Sequence, residues 1–341
     1  MTLWVVSVSE EFKHNIIAIV YDFDGTLTPQ PMQEYTVLPE IGIKDGKKFW
    51  KQVNQESAQT NGEGIVAYMR LMLEKSKSRH FPVTAEMLRK LAKNINYFPG
   101  VQTYFKRIND YIKKQFGSGI EVRHYVISAG LKEIISGTSI AKYFYKVFAS
   151  EYYYNEYGAA TFPNVVVNDT LKTQFIFRIN KGKENLNENI NLHMPMHLRP
   201  IPFQNILYIG DGLTDVPCMT VIRKNGGSAI AVYKPYSSRG KQICKQLLEA
   251  ERVDFIAQAD YKSGTELDRL IKLLLGIIVE GIRYGRESFR QSKKYSLYRT
   301  PTQLHASLYM RDKKRSAGSK AGRNAKTGKS ITNKEDNKKK K

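Results

Sequence analysis

Cysteine is nearly missing from this 341-residue chain. Only Cys218 and Cys244 occur, too few for a disulfide framework and without the spacing of a zinc site. Long apolar runs are missing as well. No stretch reaches the roughly 18 apolar residues expected of a membrane span. The most apolar helix-like run, 267–282, is interrupted by Asp268, Arg269, Lys272 and Glu280, which suits an amphipathic packed helix. The first ten residues lack the basic start and long apolar region of a secretory signal. These absences lead to the expectation of a cytoplasmic protein with no membrane span.

Acids are scarce too: 32 Asp and Glu stand against 54 Lys and Arg, a formal net charge of +22. The imbalance is local. Residues 281–341 hold 19 basic and 4 acidic side chains, a net of +15, which leaves 22 − 15 = +7 for residues 1–280. Contact with RNA, DNA or another polyanion is therefore a question about the tail, where it would be salt-sensitive and sequence-blind.

What is present suffices for a core. The hydrophobic fraction is 41%, and the length fits one large α/β domain with an insert, or two domains. Residues 15–21 form a β-branched apolar run that ends at two acids, the pattern of a buried parallel strand. Helical patterns follow at 44–59, 64–77, 84–94 and 102–116. A second strand, 122–127, runs into Ser128-Ala129-Gly130. The spacing predicts a helix over 131–145, a short strand over 146–150, and short strands and turns over the Tyr-rich, β-branched stretch 151–179. A third strand, 205–209, runs into Gly210-Asp211-Gly212. Helix 215–224, strand 228–233, helix 238–251, strand 253–258 and a last helix from about 265 complete the series.

Alternating strands and helices imply right-handed crossovers and a parallel sheet. The expected fold is α/β: a doubly wound, Rossmann-like core over 1–29 and 97–286, a small helical cap inserted after the first strand over 30–96, and a basic, disordered tail over 287–341. Three strands end in Asp22/Asp24, Ser128 and Asp211. Ligands of open α/β sheets bind at the carboxyl ends of strands, so these residues are expected to meet.

Asp22 and Asp24 stand two apart at a strand end and would point the same way on a regular strand. Two close carboxylates need a cation, or one of them takes a proton. Both outcomes are chemically useful: hard oxygens suit Mg²⁺, and a protonated acid can supply a leaving alkoxide. Gly25 permits a sharp turn after the strand. Asp-x-Asp by itself is also a common loop start, and Ser128 by itself reads equally as a helix N-cap.

The segment Asp22-Phe23-Asp24-Gly25-Thr26 resembles the first motif of the haloacid dehalogenase-like hydrolases. Ser128 after a strand resembles their second motif, Asn180-Lys181-Gly182 their lysine motif, and Gly210-Asp211-Gly212-Leu213-Thr214-Asp215 their acidic fourth motif. The resemblance implies an Mg²⁺-dependent phosphatase that hydrolyses a small phosphomonoester through an aspartyl-phosphate. Asp22 would be the nucleophile and Asp24 the general acid and base. Asp22, the Asp24 carbonyl and Asp211 would hold the metal. Asp215 would be a further ligand, a group behind the ligands, or the partner of the lysine. Ser128, Ala129 and Lys181 would bind phosphoryl oxygens, with Lys183 and Lys172 as competing lysines.

Within the family, phosphoserine phosphatases carry a glutamate nine residues after the nucleophile. That position is Pro31 here, with Glu34 out of register. Two other readings stay open: phosphoryl transfer to an acceptor other than water, and a polyanion-binding protein with an inactive phosphatase-like body.

Overall fold

The computed structural model describes residues 12–296. In chain order the elements begin with β1 (Ile16–Tyr21), α1 (Met32–Tyr35), α2 (Val37–Glu40), α3 (Gly46–Thr60), α4 (Gly64–Ser78), α5 (Ala85–Leu91) and α6 (Val101–Phe116). Then come β2 (Glu121–Leu131), α7 (Lys132–Ser136), β3 (Phe144–Tyr154), β4 (Ala160–Val165) and α8 (Lys172–Lys181). The series ends with β5 (Ile206–Gly210), α9 (Val216–Lys224), β6 (Ser228–Tyr233), α10 (Ser238–Glu249), β7 (Phe255–Gln258) and α11 (Glu266–Ser296).

The strands form one seven-stranded sheet in the order β4-β3-β2-β1-β5-β6-β7. Neighbours run parallel, except that β4 is antiparallel to β3. β1 lies between β2 and β5, so the chain leaves it towards one edge and later returns to its other side. That reversal opens a crevice at the carboxyl end of β1.

Period-two alternation makes β1 the seam between two cores. Ile17, Ile19 and Tyr21 belong to one apolar cluster, Ala18 and Val20 to the other. α6 covers the first face with Val101, Tyr104, Phe105, Ile108 and Ile112, spaced as one helical stripe. α11 adds Leu267, Leu270, Ile271, Leu274, Leu275, Ile278 and Ile282 to the same cluster. Its interrupting charges lie off that stripe, apart from the buried Asp268, which pairs with Arg107 at 2.9 Å. α8, α9 and α10 cover the second face through Phe175, Ile176, Ile179, Cys218, Met219, Ile222, Cys244 and Leu247. Each such aliphatic contributes roughly 1.5–3 kcal/mol relative to exposure. Helices on both faces of a mostly parallel sheet give the expected doubly wound core.

Three local expectations fail. The helix expected over 131–145 is only α7. Gly137 ends it, lying so close to the Arg89 backbone of α5 that a Cβ would collide. The chain then enters β3 at Phe144. The stretch 151–179 holds the end of β3 and all of β4, as expected, but ends in a helix, α8, where strands and turns are expected. Its β-branched and aromatic residues give strand propensity, but the buried positions 172, 175, 176 and 179 follow helical spacing. Finally, the chain is helical to Ser296, so 287–296 is not disordered. Residues 286–296 belong to a unit separate from the one that ends at Gly285. The polyanion expectation concerns mainly 297–341, outside the described residues. No described helix is long and apolar enough to cross a membrane.

Candidate active site

β1 delivers Asp22 to the crevice, where it is buried and its backbone N–H donates to the Ile209 carbonyl of β5 at 3.0 Å. Gly25 follows with φ +85°, a conformation that disfavours any side chain. A Cβ on Gly25 would also run into the Asp211 carboxylate. The turn thus brings the first acidic pair against Asp211, the residue that follows β5. Asp24 has one oxygen engaged: Oδ1 accepts the Met32 N–H at 2.9 Å and the Thr28 hydroxyl at 3.3 Å. Its Oδ2 faces Gly130, where a Cβ would stand 3.2 Å away.

Asp215 is fully buried just before α9. Its Oδ1 accepts from the Tyr208 hydroxyl at 2.7 Å and from Lys172 Nζ at 2.8 Å. Its Oδ2 accepts the Asp211 N–H at 3.2 Å. Lys172 also reaches Asp22 Oδ1 at 2.8 Å, so one ammonium, only 2% exposed, bridges two buried carboxylates. A buried ammonium is tolerated only when paired in this way. Ser128 is buried near the end of β2, three residues before Leu131, and its Oγ accepts the Gly130 N–H at 3.0 Å.

The acids outnumber their cation. Asp22, Asp24, Asp211 and Asp215 share Lys172, and the proton equilibria register the imbalance. Asp22 is pushed up to about 7 by burial, with Lys172 opposing and Asp215 adding. Asp24 is raised well above the carboxylate range by burial and then by Asp22. Asp211 is raised likewise, by burial and by Asp22 and Asp215. Burial opposes protonation of Lys172, but Asp215 and Asp22 prevail and hold its pKa well above normal.

This donor set fits a hard divalent cation. Carboxylate oxygens of Asp22, Asp211 and Asp215 lie within 4.8 Å of one another, all are oxygen donors, and the site is short of positive charge.

Residues 19–220, more than half of the chain, match the family model of haloacid dehalogenase-like hydrolases. The chain belongs to that family. An uncharacterized protein of Borreliella burgdorferi is 31% identical over 279 residues, covering 75% of this chain and 95% of its own length. Among solved structures, a haloacid dehalogenase-family hydrolase from Salmonella enterica serovar Typhi is similar with 17% identity and a TM-score of 0.48, over 77% of this chain and 72% of that one. A substrate-bound phosphoserine phosphatase is similar with 18% identity and a TM-score of 0.47, over 75% and 97% of the two chains.

In this family member, Asp22, Asp24, Ser128, Ala129, Asp211 and Asp215 gather at the strand ends, where the sequence places them. Lys181 does not join them. It closes α8, about 13 Å from Lys172 along the helix axis at 1.5 Å per residue. Its Nζ donates to the carbonyls of Ile190 at 2.5 Å and Leu192 at 3.0 Å. Lys183 is engaged in the same loop, donating to the Asn189 carbonyl at 3.1 Å. The lysine at the aspartates is Lys172, the first residue of α8. Lys181 is expected from the resemblance of Asn180-Lys181-Gly182 to the lysine motif, whereas Lys172, one of its two competitors, is the lysine that reaches Asp22 and Asp215. A signal was present: Asn168-Asp169-Thr170 is a helix-start cluster ahead of the 172, 175, 176, 179 spacing. Asn168 Oδ1 does accept the Leu171 N–H, at 2.8 Å.

Proposed function

We propose that this hydrolase cleaves a phosphomonoester through an aspartyl-phosphate on Asp22, with Mg²⁺ as its cation. The observation that carries the reading is the shared clamp of Lys172 on Asp22 and Asp215, beside an Asp24 that burial and Asp22 push above the usual carboxylate range.

Asp22, held through Oδ1 by Lys172, attacks phosphorus. A bond forms from its carboxylate to phosphorus as the ester P–O bond breaks, and the leaving oxygen takes the Asp24 proton. Asp24, now a carboxylate, takes a proton from water as that water attacks the phosphoryl group, releasing phosphate and restoring Asp22. Splitting the displacement in this way replaces one difficult step by two easier ones. Burial suits Asp24 to the first half-reaction, since a general acid must carry its proton near neutral pH. Ser128 and the Ala129 loop bind phosphoryl oxygens, and Lys172 neutralises charge developing near Asp22. Asp22, Asp211 and the Asp24 carbonyl would hold the Mg²⁺, while Asp215, whose oxygens already accept from Lys172, Tyr208 and the Asp211 N–H, orients Lys172 and the Asp211 backbone. When bound, the ion supplies positive charge that draws electron density from the transferring phosphoryl group. The helices of residues 30–96 serve as a cap over the leaving group.

A panel of phosphomonoesters, assayed with Mg²⁺ and with a chelator, tests this function. Turnover of at least one ester that requires Mg²⁺ and is lost in Asp22→Asn is expected. Near-wild-type turnover by Asp22→Asn would rule out this nucleophile.

A further inference from the structure

β2 is irregular where it passes the site. Ser128 pairs with Ala149 and Leu131 with Ser150, so Ala129 and Gly130 have no ladder partners on β3. A bulge of this kind leaves peptide groups that must be satisfied elsewhere. Two hydroxyls take the Ala129 carbonyl: Tyr68 from α4 at 2.9 Å, and Ser150 from β3 at 3.2 Å. The other end of that peptide group is the Gly130 N–H, which donates to Ser128 Oγ at 3.0 Å. A peptide group is planar, so fixing its carbonyl fixes the direction of its N–H. Tyr68 therefore connects through one rigid peptide to the Ser128 oxygen, and such chains polarise each bond in turn.

Tyr68 is built to hold this position. It is 2% exposed, and its ring meets Trp50 edge to face with centroids 5.7 Å apart. The next residue, Met69, has its carbonyl held by the Tyr152 hydroxyl at 2.8 Å. Burial, with the Asp24 carboxylate adding, pushes the Tyr68 phenol far up, so it remains a donor.

We propose that Tyr68 is a positioning residue for phosphoryl binding: its hydroxyl anchors the Ala129 carbonyl, and the Ala129–Gly130 peptide then places the Ser128 hydroxyl. Ser128 accepts the Gly130 N–H, which leaves its own proton for a phosphoryl oxygen. The inference rests on the phosphohydrolase reading in one respect, that phosphate binds at Ser128.

The test is calorimetric titration of the full-length protein with inorganic phosphate in the presence of Mg²⁺. Tyr68→Phe removes one oxygen and is expected to weaken phosphate binding by about tenfold, on the scale of one lost hydrogen bond. With an ester substrate its KM rises more than its kcat falls. Tyr152→Phe loosens the same helix without touching the Ala129 carbonyl, and is expected to lower thermal stability while phosphate binding stays within about twofold. Phosphate affinity unchanged in Tyr68→Phe overturns the role, as does an equal loss in Tyr152→Phe. Should Tyr68→Phe fail to fold, Ser150→Ala strips the other hydroxyl from the same carbonyl, and unchanged affinity there overturns the anchor. Wild-type protein that binds phosphate but hydrolyses no ester contradicts the hydrolysis reading and leaves the Tyr68 comparison decisive. Wild-type protein that binds no phosphate overturns the Tyr68 role.

Discussion

Lys172 and Lys181 are the same residue type at opposite ends of one helix, and their surroundings give them opposite fates. Lys172→Met leaves Asp22 and Asp215 buried without their ammonium. A loss of roughly 3–5 kcal/mol in stability is expected from breaking such a group, together with at least about a hundredfold loss in turnover from the missing charge. Lys181→Met removes two bonds to loop carbonyls and is expected to leave turnover within about twofold, because a lysine bonded to carbonyls orders a loop rather than a phosphate. Steady-state assays of both folded variants decide the matter, and the reverse ranking would restore Lys181.

His124 makes a second residue-scale case. It is buried beneath α6, with Tyr21 at 3.0 Å and Asn109 at 2.9 Å from its two ring nitrogens. Burial holds its pKa down at about 3. The unfolded chain has an ordinary histidine near 6.5, so between those values it takes up a proton that the folded chain refuses. Stability from this residue is therefore complete above about pH 6.5 and falls as pH drops towards about 3. At about pH 5 the loss is about 2 kcal/mol, at 1.36 kcal/mol per unit. Denaturant midpoints at about pH 7.5 and about pH 5 should show a smaller acid loss for His124→Gln than for wild type. Equal losses would contradict this account.

At the scale of elements, what was legible depended on how far local pattern and tertiary context agree. β1 and β6 alternate or run apolar over their full length, and their expected bounds fall within a residue of those observed. α3, α4 and α6 have capping residues or glycine at their ends, and they too lie close to expectation. α7 is shorter than expected: Gly137 at its end is a local stop, and its contact with the α5 backbone makes that stop obligatory. α8 was missed because its aromatic and β-branched residues favour a strand, while its burial follows a helix. Asp22, Asp24 and Asp211 are legible because they follow strands, and Asp215 through its motif; Lys172 is only one of three competing lysines, because local pattern does not place it at the sheet. The bulge in β2 was also invisible, since it is defined by pairing with β3. That bulge makes a prediction of its own. Gly130 passes so close to the Met32 side chain that a Cβ would overlap it, with Asp24 Oδ2 just beyond. Gly130→Ala should cost roughly 1–3 kcal/mol from overpacking and lower turnover by displacing the loop or Asp24. Adding Met32→Ala should recover part of the turnover, and a double variant no better than the single one would contradict this packing.

At the scale of the whole molecule, topology does the gathering. β1 lies between β2 and β5, so three strands deliver Asp22, Ser128 and Asp211, 83 to 189 residues apart in sequence, to one crevice. Helices on the second face then bring Lys172 and Asp215 beneath them. Much of this was readable in advance, because a parallel sheet aligns strand ends whatever lies between them. The result is four carboxylates around one ammonium, an arrangement short of positive charge that fits a divalent cation. The most direct measurement of the resulting chemistry is rapid acid quench during turnover of a hydrolysed ester, followed by mass spectrometry of peptides. One added phosphoryl group on the peptide containing Asp22, absent from Asp22→Asn, is the predicted result. Full turnover with no phosphoryl group on Asp22, or with one on another residue, would contradict it.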